Sequence, residues 1–291
     1  MAGGPELREL ECFLALAEEL HFGRAGERLR VSQSRVSQLL ATLERRIGGR
    51  LVDRTSRRVA LTPLGRRLLA GVGPAYAALR QAVEESRDAA RGVHDVLRLG
   101  FQGHVDAGIA AAVNAYQAPG RRVDLTELPL SDPFGALRRG EVDAAIVLLP
   151  VREPGLALVR VFSRQQQTVA VSARHPFAAL PAVDAERLAG LPLIGPATPA
   201  PEYWRAEQAP AVTPDGRSIP PGPAVTTLQE GIALVAAGRG GMLVCRRTAG
   251  FQPRPDVAFV PVTGLPESAL GLVVRASGPD ARAFAAALPA A

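Results

Sequence analysis

The run Phe22-Gly-Arg-Ala-Gly-Glu-Arg-Leu-Arg-Val-Ser32-Gln-Ser-Arg-Val-Ser37-Gln38, continuing through Leu51-Val-Asp-Arg54-Thr to Leu61-Thr62-Pro63, decides the fold of the first third of this chain. It reads as two short helices joined by a tight turn and followed by an arginine-bearing hairpin. Gly23 to Leu29 forms the first helix, with Ala25 and Leu29 facing inward, and Arg30-Val31 is the turn. Ser32 is placed to cap the next helix, its hydroxyl accepting from free amides one turn on. Val36, Leu39, Leu40, Leu43 and Ile47 recur at helical spacing, and Gly48-Gly49 ends the run. Leu51-Val52 and Val59-Ala60-Leu61 then flank a wing at Asp53 to Arg58. This is the layout of a winged helix-turn-helix, a shape built to enter a DNA groove.

Working outward, Leu7, Leu10, Phe13, Leu14, Ala17 and Leu20 mark one apolar face of a preceding helix. Thr62-Pro63 restarts a helix on the other side, a capping threonine followed by proline at the first helical position. Leu64, Leu68, Val72, Ala75, Leu79 and Val83 form a seam suited to a partner helix. Gly71, Gly73 and Pro74 are expected to interrupt or kink it. Arg91-Gly92 closes the segment.

Charge follows the same division. All 34 basic residues are arginine. The absence of lysine excludes Schiff-base, P-loop and kinase-type lysine chemistry. Residues 1–92 hold 16 Arg against 11 Asp and Glu, a net +5, and the remainder holds 18 against 17. A basic excess confined to one third points to a polyanion partner for that third. Cys12 and Cys245 have no disulfide or zinc spacing and read as buried small hydrophobes, with redox sensing the alternative. There is no signal-peptide pattern and no apolar run near the roughly 18–20 residues of a membrane span, so a cytoplasmic protein is expected.

From residue 96 strands and helices alternate. Strands are expected at 96–101, 122–127, 143–149, 168–172, 193–194, 241–245 and 269–274. Helices are expected at 109–116, 132–139, 229–237 and 280–288. The apolar run Asp143 to Leu149 suggests a parallel strand buried on both faces, hence an α/β sheet with crossover connections. The proline-rich segment Pro199 to Pro223 reads as a loop over the second block.

The residues Phe13-Leu-Ala-Leu-Ala-Glu18, His21-Phe22, Glu27-Arg28-Leu29, Val31-Ser32-Gln33, Val36-Ser37, Leu43-Glu44, Asp53-Arg54-Thr55 and Leu61-Thr62-Pro63-Leu64-Gly65 closely resemble the N-terminal region of LysR-type transcriptional regulators. Leu97 to Phe101, Gly140-Glu-Val-Asp143, Pro154-Gly-Leu156, His175-Pro176 and Leu234 to Gly238 continue the resemblance downstream, so it covers essentially the whole chain. It implies residues 1–62 as a winged helix-turn-helix, 63–92 as a linker and dimerisation helix, and 93–291 as an effector module. That module would be built like a two-lobed (type 2) periplasmic solute-binding protein, with lobe I at 93–164 and 266–291 and lobe II at 165–265. The chain would cross between lobes near 163–167 and 262–268. The resemblance further implies a small-molecule effector in the cleft, contact with RNA polymerase, and a dimer of dimers. Ser34, Arg35, Gln38 and Leu51-Val52 depart from the common pattern, which leaves the fold safe and alters base readout.

On this frame the DNA-contacting candidates are Ser32, Gln33, Ser34, Arg35, Ser37 and Gln38 on the recognition helix. Gln33 and Gln38 match adenine and Arg35 matches guanine. Ser32 serves chiefly as a cap. Arg54, Arg57 and Arg58 on the wing are candidates for phosphate or a narrow minor groove, and Arg24 on the second helix is a candidate for phosphate. Ligands of open α/β folds sit at strand carboxyl ends, which selects Gln102, Gly103, His104, Leu130, Ser131 and Leu148. The resemblance adds Ala197, Thr198, Thr226 and Thr227. His104 is placed to donate to a carboxylate ligand or to be a surface histidine; Leu130 and Leu148 suggest an apolar component. No cofactor or metal is implied.

Two other classes compete with a ligand-responsive DNA-binding regulator. An enzyme with a DNA-targeting arm lacks support, since no nucleophile elbow, P-loop, zincin or dinucleotide fingerprint occurs. An architectural or repressor DNA-binder with a non-responsive effector module retains the same sequence features and differs only in its response to metabolites.

Overall fold

The computed structural model describes residues 4–54, 59–90, 95–103, 107–117, 120–162, 164–250, 254–276 and 284, with the backbone alone at 54, 84, 85, 88, 89 and 247. The chain divides into two compact units, Met1–Val83 and Glu84–Ala291.

The first unit opens with α1 (Leu7–Glu19), α2 (Phe22–Leu29) and α3 (Gln33–Ile47), followed by β1 (Val52–Arg54), β2 (Val59–Leu61) and α4 (Pro63–Ala90). Phe13, Leu16, Phe22, Ala25, Val36, Leu40 and Leu43 interlock into one buried core. The faces expected on α2 and α3 are buried or partly buried; on α1 the apolar residues that reach the core are Cys12, Phe13, Ala15 and Leu16, while Leu7 and Leu20 of the expected face are exposed. Arg30 takes the left-handed conformation (φ 55°) and turns the chain between α2 and α3. Gly26 makes that turn possible, because a Cβ there would lie 2.7 Å from the Val31 carbonyl oxygen. Glu44 Oε1 accepts from the amides of Leu51 at 2.8 Å and Val52 at 3.2 Å, fastening α3 to the hairpin. The hairpin is antiparallel, with Val52 opposite Leu61. Only its base is described; Arg57 and Arg58, and the side chain of Arg54, lie outside the described residues.

Thr62 joins hairpin to helix. Its Oγ1 accepts from Gly65 N at 2.9 Å and donates to Arg50 O at 2.8 Å. The interruption expected at Gly71, Gly73 and Pro74 is absent: α4 runs as one helix of 28 residues with Pro74 inside it. A single proline removes one backbone bond from a long ladder, and the turns on either side carry the helix through. Arg91 and Gly92 lie outside the described residues.

The second unit contains β3 (Asp95–Phe101), α5 (Ala107–Tyr116), β4 (Arg121–Glu127), α6 (Gly135–Arg139), β5 (Ala144–Leu148), β6 (Leu156–Val161), β7 (Gln167–Ser172), β8 (Val183–Asp184), β9 (Leu193–Pro196), α7 (Glu202–Gln208), β10 (Pro221–Val225), α8 (Leu228–Ala236), β11 (Met242–Cys245), α9 (Arg246–Gly250), β12 (Val257–Thr263) and β13 (Leu270–Arg275). One sheet has the order β4-β3-β5-β13-β6 and a second the order β11-β7-β12-β8; β9 and β10 pair in a small parallel sheet. Two sheets built from interleaved segments of chain make two lobes. The chain passes between them at Gln165 and Ser268, which exchange backbone bonds of 2.8 and 2.9 Å.

Three expectations need correction. The run at 143–149 is buried on both faces as read, but its sheet is mixed: β5 is parallel to β3 and antiparallel to β13. A continuous apolar run reports burial, not the direction of its neighbours. The helix expected from Asp132 begins at Gly135, because Asp132 closes a turn from Pro129 and Pro133 and Phe134 form the turn that follows. The proline-rich segment is not a plain loop, since it holds the helix α7 and the strand β10. Trp204 of α7 is fully buried. Of the terminal helix expected at 280–288, only Phe284 is described; it is buried and meets Tyr116 edge to face.

Candidate DNA interface and interlobe cavity

Ser32 caps α3, its Oγ accepting from Arg35 N at 3.2 Å and bonding Ser34 Oγ at 2.9 Å. Both serine hydroxyls are thus engaged in shaping the first turn. Gln33, Ser34, Arg35 and Gln38 are exposed and Ser37 is half-buried, while Val36, Leu39 and Leu40 hold the helix down from below. The Arg35 guanidinium rests on Gln38 Oε1 at 3.5 Å, so these two side chains form one polar face. Arg24 is exposed and held by Glu19, through its carboxylate at 3.3 Å and its carbonyl at 2.6 Å. That grip competes with a phosphate for the same guanidinium. Cys12 lies beneath α3, its thiol donating to Val36 O at 3.4 Å. Burial pushes the thiol up to about 11, an unreactive state.

In the second unit a cavity open to solvent lies between the two lobes. Gln102, Gly103, Leu130, Leu148 and Leu270 line it from lobe I. Ile194, Pro196, Gln208, Leu228, the strand Met242–Cys245 and Thr248 line it from lobe II. Its polar points are few. Gln102 Oε1 accepts from Leu148 N at 2.9 Å, and Cys245 Sγ and Thr248 Oγ1 share a bond of 3.0 Å. Gly103 has φ +73°, so the chain turns away from β3 without adding a side chain to the wall.

Of the residues expected to bind an effector, Gln102, Gly103, Leu130 and Leu148 meet at this cavity. Ser131, Ala197, Thr198, Thr226 and Thr227 are not among its lining. Ser131 N and Ala197 N instead bond the carbonyls of Thr226 and Val225, at 3.2 and 2.8 Å. Thr227 caps α8, accepting from Glu230 N at 3.1 Å, while Glu230 accepts from Thr226 N at 2.7 Å. The amides of Ser131, Ala197 and Thr226 and the hydroxyl of Thr227 are thus occupied in local structure. His104 lies outside the described residues.

The helix α7 clasps lobe I. Trp204 Nε1 donates to Leu148 O at 2.8 Å, and Tyr203 Oη accepts from Arg152 N at 3.0 Å. Arg152 also lies over the Tyr203 ring at 5.4 Å. Sequence reading missed this contact; the signal was the adjacent pair Tyr203-Trp204 inside a segment otherwise rich in proline.

Residues 7–66 match the bacterial regulatory helix-turn-helix proteins of the lysR family, and residues 90–291 match the LysR substrate binding domain. The chain belongs to the LysR family. The HTH-type transcriptional regulator IlvR of Caulobacter vibrioides is 32% identical over 277 residues, covering 93% of this chain and 92% of that protein. A probable hydrogen peroxide-inducible genes activator of Mycobacterium avium is 35% identical over 198 residues, 65% of this chain and 62% of the relative. The chain thus spans less than two thirds of that relative's length. Full-length CbnR complexed with its target DNA has a TM-score of 0.62 at 20% identity, over 97% of this chain and 98% of CbnR, a likeness of fold. The LysR fold accounts for a winged helix-turn-helix, a long helix after it, and a two-lobed module whose sheets are linked by two crossings. Among the described residues no helix is long and apolar enough to cross a membrane. No group of three or more potential metal ligands occurs among them either.

Proposed function

We propose that this chain is a transcriptional regulator whose binding to double-stranded operator DNA is set by a small molecule held between its lobes. Residues 1–62 act as the DNA-reading domain, 63–92 as the linker and dimerisation helix, and 93–291 as the effector module, with lobe I at 93–164 and 266–291. The observation that carries the effector half of this reading is a cavity walled from both lobes, so that an occupant changes how they meet. The DNA half rests on the exposed polar turn of α3 over a fully apolar underside, in the third of the chain that holds the basic excess.

Gln33, Arg35 and Gln38 address base edges in the major groove. Ser32, Ser34 and Ser37 shape and flank that turn, Arg24 addresses phosphate, and Arg54, Arg57 and Arg58 address phosphate or the minor groove. Leu64, Leu79 and Val83 on α4 are exposed large apolar residues at helical spacing, which favours a second copy of the chain against this seam. Two copies then read two half-sites about one helical turn, or a multiple of it, apart. A dimer of dimers, contact with RNA polymerase and residence in the cytoplasm complete the reading.

Footprinting on the intergenic region beside the gene, across a metabolite panel, tests it. A footprint that lengthens, shortens or shifts with one metabolite is expected. A footprint that none of them alters would instead favour an architectural DNA-binder with a non-responsive module, and turnover of a metabolite would favour an enzyme.

A further inference from the structure

We propose that the interlobe cavity takes an uncharged ligand with an apolar body and one hydrogen-bond acceptor, received by the Nε2 amide of Gln102. This deepens the effector-responsive reading above and rests on it. Gln102 is 3% exposed and lines the cavity. Its Oε1 accepts from Leu148 N at 2.9 Å. Only the amide oxygen can receive that N–H, so the orientation of the side chain is fixed and Nε2 is the free end. Nε2 is buried and meets no acceptor among the described residues. A buried donor without a partner is an unfavourable state that a ligand oxygen would relieve.

The rest of the wall narrows the class of that ligand. The Cys245 thiol and the Thr248 hydroxyl are bonded to each other at 3.0 Å, and Gln208 Nε2 is directed to Leu149 O at 3.5 Å. Leu130, Leu148, Ile194, Leu228, Leu243 and Leu270 present carbon. No described lining residue carries a formal charge. A carboxylate would bring a full charge to a lining whose described residues offer only neutral groups, and its lost hydration would go largely uncompensated. A pure hydrocarbon would leave Nε2 unpaired. A ketone, ester or amide oxygen on an aliphatic or ring body meets both demands.

The chain supplies its own reporter. Trp204 is its single tryptophan, and its indole donates to the carbonyl of Leu148 in the cavity wall. We would titrate the full-length protein at neutral pH with methyl cyclohexanecarboxylate and with cyclohexanecarboxylate, following Trp204 emission. The ester is expected to bind saturably and at least about tenfold more tightly than the anion. Replacing Gln102→Met should weaken the ester about fivefold, the effect of one neutral hydrogen bond. The proposal is overturned if the ester does not bind saturably, if the anion binds as tightly or more tightly, or if a folded Gln102→Met binds the ester undiminished. Should that variant not fold, the ester-to-anion ratio on the natural chain decides alone. Footprinting with the same two probes separates this proposal from the reading beneath it. Ester binding without any metabolite-dependent footprint would sink the effector response and leave the ligand class standing. A footprint that responds to a charged metabolite while the ester is refused would do the reverse.

Discussion

Replacing Trp204→Phe tests whether the clasp between α7 and lobe I holds the effector module together. The substitution keeps an aromatic ring near Phe134, which Trp204 meets edge to face at 6.3 Å and 78°. It removes the indole N–H that donates to Leu148 O at 2.8 Å. A carbonyl that loses its partner in a buried setting costs about 1–3 kcal/mol. The smaller ring leaves space in a site where Trp204 is fully buried. At roughly 24 cal/mol per Å³ of cavity this adds about 1 kcal/mol. The sum, roughly 2–4 kcal/mol, is too large to be absorbed by a rearranged surface, because Val147, Ile194 and Ile232 of the same cluster are all fully buried and fill the surrounding space.

The loss should appear locally before it appears globally, since sub-global opening needs less free energy than full unfolding. Hydrogen exchange read on peptides covering 148–152 and 202–208 should accelerate about 30- to 800-fold, the range corresponding to those energies. Peptides of the first unit should be unaffected. Tyr203→Phe provides the internal scale. It removes only the hydroxyl that accepts from Arg152 N at 3.0 Å, at an exposed position, so acceleration there should stay below about tenfold. Exchange within threefold of the natural chain at both segments in Trp204→Phe would refute the reasoning, showing that the lobes are held by something other than this clasp.

Three further outcomes are expected. Arg35→Ala leaves the fold intact, because the side chain is exposed, and weakens operator binding by about 1–3 kcal/mol with little change in salt slope; Arg54→Ala should instead lower the slope by about one, and a salt titration of binding that gave equal slopes would remove this distinction. Gly26→Ala drives a Cβ to 2.7 Å from the Val31 carbonyl oxygen and should destabilise the first unit by about 1–3 kcal/mol, read as an earlier urea midpoint; an unchanged midpoint would mean the turn yields freely. Cys12 holds its proton in the fold up to about 11, above the ordinary 9.0, so its contribution to stability is complete below pH 9 and is lost as pH rises towards 11; a Cys12→Ala chain should lack that part of the alkaline decline, and iodoacetamide should label Cys12 in the natural chain only after unfolding.

The first unit was legible because each of its elements carries its own punctuation. Ser32 caps α3, Gly48 ends it with φ 83°, and Thr62 starts α4; each feature acts within a few residues of itself. The interruption expected at Gly71, Gly73 and Pro74 came from the same kind of local rule, and a long ladder carries the helix on through it. In the second unit the strands were legible as apolar runs, and their neighbours were not. Nothing in Ala144 to Leu148 states that β13, more than a hundred residues later, lies against it antiparallel. The cavity divided along the same line. Gln102 and Gly103 follow β3, Leu130 lies just beyond β4 and Leu148 ends β5, so all four could be selected from the strand ends alone. Gln208, Thr248 and Leu270 reach the wall only through tertiary placement. Thr227 caps α8, its hydroxyl accepting from Glu230 N, and the Thr226 amide donates to the Glu230 carboxylate, because residues just before a helix find its free amides and first-turn side chains close by.

The lobes share one core, and this constrains how an effector can act. Leu128, Leu137 and Val147 of lobe I form a single buried cluster with Ile194, Ile232 and Val244 of lobe II. Separating the lobes would expose that cluster, and burial of apolar surface contributes about 25 cal/mol per Å², so wide opening is disfavoured without any ligand. An occupant therefore gains little by closing lobes that are already closed. A ligand shifts an equilibrium only by its difference in affinity between two states, however tightly it binds either one. The second state must then differ in the shape of the cavity, not in whether the lobes meet. Leu148 is the residue where such a difference would be felt. Its amide bonds Gln102, its carbonyl bonds Trp204, and its side chain lines the wall, so a ligand drawing on Gln102 acts on the strand end that α7 clasps. The route from cavity to lobe contact is one residue long, and its equilibrium is the one that Trp204→Phe perturbs.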